Sequence, residues 1–386
     1  MNPLVTVIIP TYNRAGTIRR SIESVLQQSY KELEVIVVDD CSSDNTVRQI
    51  ESFSDTRIKV IRLSRNRGAN FARNVGIGEA RGEFIAFQDS DDEWLKDKLE
   101  LQLKHMAETK KKVCFCPYTL YDENKKTIYP DNSENKERYE EQIVDVLRKK
   151  NVISTQTLVM HREVTDKVGL FDETMRRLQD YEFVIRLCQK YEIAYVNSPL
   201  VNVYRMENCI SNNIKAFTDS YRKIFIKHYD FIDFKSFLFT YLFNCQWYDE
   251  GGIYWEYIDD IQSVTTDLEM SFDQELFTSA REKMLKWYNF FSRHIRNNEF
   301  VIYGAGFYGR EVYKILKDAG CTARHFLVTR NHSMVSEIDG IPVMELDEII
   351  NWNLPVVIAV DETIQEELIR ELKIREITEY TIYPFC

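Results

Sequence analysis

Three carboxylates crowd into four positions of the segment IAFQDSDDEW, residues 85–94: Asp89, Asp91 and Asp92. Like charges at this spacing repel one another unless a cation lies between them. Mg²⁺ and Mn²⁺ take oxygen ligands, commonly one or two carboxylates together with substrate phosphates. The segment therefore predicts a divalent metal site. The alternative is a solvated acidic cap, in which Asp91 or Asp92 begins the helix expected to follow, anchored by Trp94.

These acids end one of several short apolar runs that alternate with helical patterns. Strands are predicted at residues 4–10, 33–40, 57–63 and 83–88, and helices at 17–28, from Asp44 after a cap at Ser42 or Ser43, and at 69–80. Continuous apolar strands separated by helices are typical of a parallel sheet that is covered on both faces. Such sheets bind ligands at the carboxyl ends of their strands. We therefore expect one site there, formed by the polar groups at 11–13, 39–40, 66 and 89–92.

The middle of the chain is less regular. A polar stretch at 123–141 predicts a surface loop, 152–160 a strand, 169–187 a turn followed by a helix, and 194–205 one or two strands. Residues 214–296 are helical in pattern and rich in aromatic side chains. An amphipathic membrane-surface helix is one interpretation of this segment. The core of a small helical module is favoured, because acidic residues interrupt the apolar run.

A second α/β pattern begins at Phe300. A predicted strand leads into Gly304, Gly306 and Gly309 and then into a helix, the spacing of a phosphate-binding dinucleotide turn. The acid expected at the end of the next strand is absent, since the chain reads Val-Thr-Arg-Asn at 328–331. A structural or nucleotide-sugar-binding Rossmann-like domain is therefore favoured over one that binds NAD(P).

Composition narrows the class of protein. The chain has 386 residues and a net charge of -11, which argues against nucleic acid as a partner. It has no apolar run of the ~18 residues needed to span a bilayer, and its first residues lack the pattern of a signal peptide. The eight cysteines form no CxxC pair and are interpreted as reduced thiols of a cytoplasmic protein.

Five segments, taken in order and spacing, resemble the family 2 glycosyltransferases. They are VIIPTYNR (7–14), VVDDCSSDNT (37–46), NRGANFARNVGI (66–77), GEFIAFQDSDDEW (82–94) and GLFDETMRRLQDYEF (169–183). The resemblance covers about residues 3–212 and implies a GT-A fold, an α/β fold with a mostly parallel sheet. It also implies inverting sugar transfer from a nucleotide sugar, with Mn²⁺ or Mg²⁺ bridging the acids to the diphosphate.

The resemblance assigns a donor-binding role to several residues. Asp40 matches the acid that hydrogen-bonds the nucleobase of the donor. A carboxylate that accepts from the N–H of uracil would favour a UDP-sugar. Arg73 matches a position near the diphosphate, where a cation assists the leaving group; its alternative is an ordinary exposed helix residue. The resemblance makes Asp91 the principal metal ligand. The other implied donor contacts are Pro10, Thr11, Asn13, Asn66 and Asp89.

The resemblance also implies the catalytic base. The family places an acid pair at the start of the helix after a GxFDE turn; here the pair reads Gln179-Asp180. Inversion requires one carboxylate to accept the proton of the attacking hydroxyl, so Asp180 suffices. Its alternative is an acid favoured by the helix dipole. The metal-binding histidine that many members carry after Tyr-Arg is absent, and Glu207 is a candidate replacement ligand.

We therefore expect three parts: a glycosyltransferase domain at 1–212, a helical middle segment at 213–297 and a Rossmann-like domain at 298–386. The expected function is surface-polysaccharide synthesis on a saccharide or lipid-linked saccharide acceptor, with peripheral contact at the inner face of the membrane. Two alternatives remain. One is a non-catalytic nucleotide-sugar-binding or scaffold protein. The other is a bifunctional protein whose C-terminal domain binds NAD(P) or a nucleotide sugar.

Overall fold

The structure is a computed structural model. It describes residues 2–122, 125–130, 139–205, 214–233, 282, 286–287, 290–295, 299–305, 307–318, 321–328, 336–348, 354–360 and 362–382. The chain divides into two compact units, Met1–Phe237 and Leu238–Cys386. The predicted boundaries at 212 and 297 stay predictions, because 206–213 and 296–298 lie outside the described residues. None of the described helices has the length and apolarity to cross a bilayer.

The first unit is a mixed α/β structure. Its strands are β1 (Val5–Thr11), β2 (Leu33–Asp39), β3 (Ile58–Arg62), β4 (Phe84–Phe87), β5 (Glu93–Trp94), β6 (Val113–Phe115), β7 (Tyr118–Asp122), β8 (Lys125–Tyr129), β9 (Val159–His161), β10 (Ile193–Tyr195) and β11 (Val201–Tyr204). Its helices are α1 (Ile18–Leu26), α2 (Thr46–Glu51), α3 (Ala69–Glu79), α4 (Lys98–Thr109), α5 (Ile143–Leu147), α6 (Val164–Val168), α7 (Gln179–Cys188) and α8 (Ile214–His228).

The central sheet has the strand order β10-β6-β9-β4-β1-β2-β3. All of its pairs are parallel except those of β9, which is antiparallel to both β4 and β6. The carboxyl ends of β1, β2 and β4 therefore meet at one edge, as predicted. Thr11, Asp40 and the three acids after β4 all lie at that edge.

Alternation along β1 assigns its side chains to two cores. Val5, Val7 and Ile9 pack with α1 and α4, whereas Ile8 packs with α3 and α7 on the other face. Helix α1 buries Ile18, Ile22 and Val25, the spacing of one helical face. Burial on both faces fixes the register of the strand, and with it the position of the site residues that follow.

A second sheet has the order β5-β11-β7-β8 and corrects three predictions. Strand β8 lies inside the stretch predicted as a loop, where it pairs antiparallel with β7. Trp94 belongs to strand β5; the next helix begins at Lys98 after Asp97, so the interpretation of Asp91 or Asp92 as its cap is wrong. The predicted strand at 152–160 is a 3₁₀ turn at Thr155–Thr157 followed by β9.

The second unit is also α/β. Its strands are β12 (Glu299–Tyr303), β13 (Thr322–Val328), β14 (Glu337–Ile338), β15 (Ile341–Glu345), β16 (Val356–Ile358) and β17 (Tyr380–Ile382), and its longer helices are α9 (Phe307–Asp318) and α10 (Glu362–Ile374). They form a sheet of order β14-β15-β13-β12-β16-β17, parallel apart from β14 against β15.

Two glycines of the GxGxxG sequence have a packing role in this unit. A Cβ on Gly309 would lie 1.7 Å from the carbonyl oxygen of Gly304, and one on Gly304 would lie 2.5 Å from that of Ala359. Close approach of backbone to backbone therefore requires glycine at both positions. Gly306 lies outside the described residues, and a bound NAD(P) or nucleotide sugar here stays a prediction.

Candidate active site

The loops after β1 and β2 are joined by polar contacts. Pro10 and Thr11 end β1, and Asn13 follows with a left-handed backbone, φ 51°. Its Oδ1 accepts a hydrogen bond from the Ser43 amide at 2.9 Å, and its own amide donates to the Ser42 hydroxyl at 2.9 Å. These hydrogen bonds fix the loop after β1, the first predicted donor-binding loop, to the loop after β2.

Asp40 organises the loop that leads into α3. Its carboxylate is buried and accepts from two successive backbone amides, Arg67 and Gly68, each at 2.7 Å. A carboxylate has about four lone-pair positions, so these two bonds leave capacity for a further donor such as a base N–H. Asn66, the preceding residue, is exposed at the same edge.

Arg73 is buried, which makes the interpretation of it as an exposed helix residue wrong. It lies on α3 and is 3% exposed. Its Nη2 donates to Asp89 Oδ1 at 2.9 Å, and its guanidinium carbon lies 5.6 Å from the centre of the Phe171 ring. Buried charges need a partner, and Arg73 has Asp89. These two predicted donor-binding residues thus form an ion pair.

The other two acids of the cluster differ in role. Asp91 pairs with Arg14, whose Nε lies 3.4 Å from its Oδ2. Asp92 is buried and accepts from Gln156 Nε2 at 3.0 Å and from the Tyr204 amide at 3.2 Å, so it joins β11 and the 3₁₀ turn before β9 to the cluster. Burial raises the pKa of both carboxyls, and the charge of neighbouring Asp89 raises each further.

A hard divalent cation fits this donor set. The carboxylates disfavour one another's charge, and added positive charge would relieve that repulsion. Within the described residues, no group of three or more His, Cys, Asp and Glu side chains is arranged to hold a metal by itself. Mg²⁺ and Mn²⁺ sites commonly combine one or two carboxylates with substrate oxygens. A metal bound beside these acids would therefore take further oxygen ligands from the substrate.

Hydrogen bonds from the side chains of Asn70 and Asn74 join α3 to the turn that precedes α7. Asn74 Oδ1 accepts from the Phe171 amide at 2.9 Å, while Asn74 Nδ2 donates to the Phe171 carbonyl at 2.9 Å. Asn70 Nδ2 donates to the carbonyls of Asp172 at 2.8 Å and Met175 at 2.9 Å. The turn is therefore fixed to the helix that carries Arg73.

The Phe171 ring extends this connection through the core. It packs edge-on against Phe87 of β4, with ring centres 5.2 Å apart, and stacks on Phe183 of α7 at 4.2 Å. Strand β4 leads directly to Asp89, and α7 begins one residue before Asp180. A single aromatic side chain thus contacts the elements that carry both groups.

Asp180 lies in the first turn of α7, and its Oδ1 accepts from the Tyr181 amide at 2.8 Å. Burial raises the pKa of its carboxyl, the charge of Asp89 raises it further, and Arg73 opposes the shift. The Phe171 ring lies against both the Arg73 guanidinium and Phe183 of α7, so α7 and the Arg73–Asp89 pair share one core contact. The structure therefore brings the predicted base and the predicted donor-side residues together.

Some predicted and unpredicted residues remain. Glu207 lies outside the described residues, so its role as a ligand stays a prediction. The sequence interpretation missed Arg14, Asn74 and Phe171. All three fall inside segments that carry the family resemblance, so those segments were the available signal.

Comparison with known proteins bears on this site. Residues 6–169 match the family model described as Glycosyl transferase family 2. The chain is 36% identical over 218 residues to the putative teichuronic acid biosynthesis glycosyltransferase TuaG of Bacillus subtilis (strain 168), a match that covers 55% of this chain and 82% of that protein. The chain belongs to glycosyl transferase family 2.

Two further similarities concern one more relative and one solved structure. WfgD of Escherichia coli, described as a UDP-Glc:alpha-D-GlcNAc-diphosphoundecaprenol beta-1,3-glucosyltransferase, is 44% identical over 121 residues, which cover 31% of this chain and 48% of that protein. The structure of S. aureus TarS 1-349 in complex with UDP-GlcNAc matches with a TM-score of 0.51 at 21% identity, covering 64% of this chain and 73% of that chain. The fold is GT-A with an additional C-terminal α/β unit, as predicted.

Proposed function

We propose that this glycosyltransferase moves a sugar from a UDP-sugar to a saccharide hydroxyl with inversion, and that Asp180 is the general base. The observation that carries the proposal is the contact of Phe171 with both the Arg73 guanidinium and α7, the helix whose first turn contains Asp180. A half-buried carboxylate beside the donor side of the site, at the start of a helix, is positioned to accept a proton from an acceptor hydroxyl.

The remaining roles follow from the charges at the site. Asp40 accepts a hydrogen bond from the nucleobase of the donor. The nucleotide is lined by Pro10, Thr11, Asn13 and Asn66. Arg73, held by Asp89, supplies positive charge where the diphosphate departs, and charge placed in advance at a buried site is effective there. Mn²⁺ or Mg²⁺, when bound at Asp91, supplies further stabilisation of the leaving diphosphate.

The acceptor is proposed to be a lipid-linked saccharide in polysaccharide synthesis at the cytoplasmic face of the membrane. TuaG is described as acting in teichuronic acid biosynthesis, and WfgD as acting on a diphosphoundecaprenol-linked sugar. Both descriptions support this class of acceptor for the present chain. The division into a catalytic domain at 1–212, a middle segment at 213–297 and a C-terminal domain at 298–386 belongs to the same proposal.

The test compares Asp180→Asn with Gln179→Ala. Asparagine keeps the size of the side chain but cannot accept the proton, so turnover should fall by about 10²–10⁴-fold while calorimetric affinity for UDP changes little. Gln179→Ala is the matched control, since a neutral amide at the adjacent position is not a base. Near-normal transfer by Asp180→Asn would place the base elsewhere. Donor binding without transfer by the wild-type protein would favour the non-catalytic alternative.

A further inference from the structure

Two tyrosines stack on the hairpin formed by β7 and β8. Tyr118 and Tyr129 are directly opposite each other in this antiparallel pair, and their ring centres lie 5.9 Å apart with an angle of 27° between the planes. Tyr118 is partly buried and packs against the core cluster that contains Trp94 and Leu200. Tyr129 is 46% exposed. The pair therefore presents an aromatic surface at the edge of the second sheet.

This surface lies near the acidic segment that follows β4. Burial raises the pKa of the Tyr118 hydroxyl, and the charges of Tyr129, Asp180 and Asp92 add to the shift in that order. Strand pairing gives the position relative to that segment, because Tyr118 pairs with Val201, and Val201 pairs with Trp94, two residues after Asp92. Neighbouring strands are about 4.8 Å apart, so Tyr118 lies roughly 10 Å across the sheet from that segment.

The pair belongs to a different part of the site from the donor residues. Pro10, Asp40 and Asp89 follow strands of the central sheet, whereas Tyr118 and Tyr129 belong to the second sheet. An acceptor bound at the second sheet would therefore not occupy the positions assigned to the nucleotide sugar.

We propose that Tyr118 and Tyr129 bind the acceptor saccharide by stacking against the C–H face of a sugar ring. The face of an aromatic ring carries partial negative charge and attracts weakly positive C–H groups, while the apolar area of the ring is removed from water. Neighbouring carboxylates then accept hydrogen bonds from the sugar hydroxyls. This inference rests on the proposed function, because it assigns the acceptor to the side of Asp180.

The test uses saturation-transfer NMR with a panel of methyl glycosides of glucose, galactose, mannose, N-acetylglucosamine, N-acetylgalactosamine and rhamnose. UDP and Mg²⁺, which is diamagnetic, are present at saturating concentration with the full-length protein. Wild type should give signals strongest for the ring protons of one sugar face. Tyr129→Ala should weaken saccharide affinity by about tenfold, since an aromatic contact of ~1.4 kcal/mol corresponds to a factor of ten. Tyr129→Phe should retain the affinity because it keeps the ring.

Ile128→Ala is the matched control. Ile128 is the adjacent residue of β8, 37% exposed, and its side chain points to the opposite face of the hairpin. Affinity for UDP should be the same in all variants. The proposal is overturned if no glycoside binds wild type, or if Tyr129→Ala binds glycosides as wild type does. Saccharide binding that depends on Tyr129 in a protein without transfer activity would instead refute the proposed function and leave this inference standing.

Discussion

Replacing Asn74 by alanine should loosen the turn that positions Asp180. In the native protein the Asn74 side chain both donates to and accepts from the backbone of Phe171, each at 2.9 Å. Alanine removes both bonds and leaves a buried amide and a buried carbonyl without these partners. An unpaired buried polar group costs about 1–3 kcal/mol, so the pair is expected to cost about 2–6 kcal/mol.

The local consequence can be measured at one amide. A loss of about 3 kcal/mol corresponds to a roughly 10²-fold change in an equilibrium, so the Phe171 amide should exchange with deuterium about 10²-fold faster. Peptides from residues 169–178, read by mass spectrometry, report this directly. In the same variant kcat should fall while the calorimetric affinity for UDP changes little, because Asp40 and its contacts with the loop before α3 are retained.

The control lies on the same helix. Glu79 forms an exposed ion pair with Lys59, and such pairs contribute about 0–1 kcal/mol. Glu79→Ala should therefore leave both the exchange and the turnover close to wild type. Unchanged hydrogen exchange at the Phe171 amide in Asn74→Ala would refute the reasoning, because the two Asn74 hydrogen bonds would then contribute nothing to the stability of the turn. Faster exchange with wild-type turnover would show that the turn does not position the base.

Three other outcomes are expected. Burial raises the pKa of Asp180, and Arg73 opposes that shift. Arg73→Met should therefore raise this pKa and move the acidic limb of the kcat–pH profile to higher pH. An acidic limb at or below the wild-type pH would contradict this. Asp91→Asn should weaken Mn²⁺-dependent UDP binding in calorimetry while metal-free binding persists; equal loss of both would remove Asp91 as a ligand. Gly309→Ala forces a Cβ to within 1.7 Å of a backbone oxygen and should make the second unit sensitive to proteolysis. Gly78→Ala, where a Cβ meets open space, should be tolerated.

The sequence was sufficient for the elements whose pattern is local. The apolar runs that became β1, β2 and β4 were predicted close to their observed limits, because strands buried on both faces are continuously apolar. The rule that ligands bind at the carboxyl ends of such strands then placed Thr11, Asp40 and Asp89 at one edge. The prediction of the site at this edge required no knowledge of the second sheet.

Elements that depend on distant partners were missed. Strand β8 carries lysines and lies in a polar stretch, so its periodicity gives little signal; its partner β7 and the stacked pair Tyr118 and Tyr129 define it as a strand. Trp94 was assigned to a helix because an acidic segment precedes it. Its pairing with Val201, more than a hundred residues later, makes it a strand residue instead. Neither contact can be derived from local spacing.

The burial of α3 shows where a signal was present but incompletely interpreted. Asn70, Arg73 and Asn74 follow the i, i+3, i+4 spacing of a single helical face. A polar face on a helix between buried strands normally points to solvent, which is why Arg73 had an exposed interpretation. In the structure all three residues are buried, and each has a partner in another segment: Asn70 and Asn74 bind the turn before α7, and Arg73 binds Asp89. Because these partners belong to the donor side and the base side of the proposed site, one face of α3 connects the two. Substitutions of Asn70 or Asn74, which contact only the turn before α7 among these partners, should alter turnover before they alter donor binding.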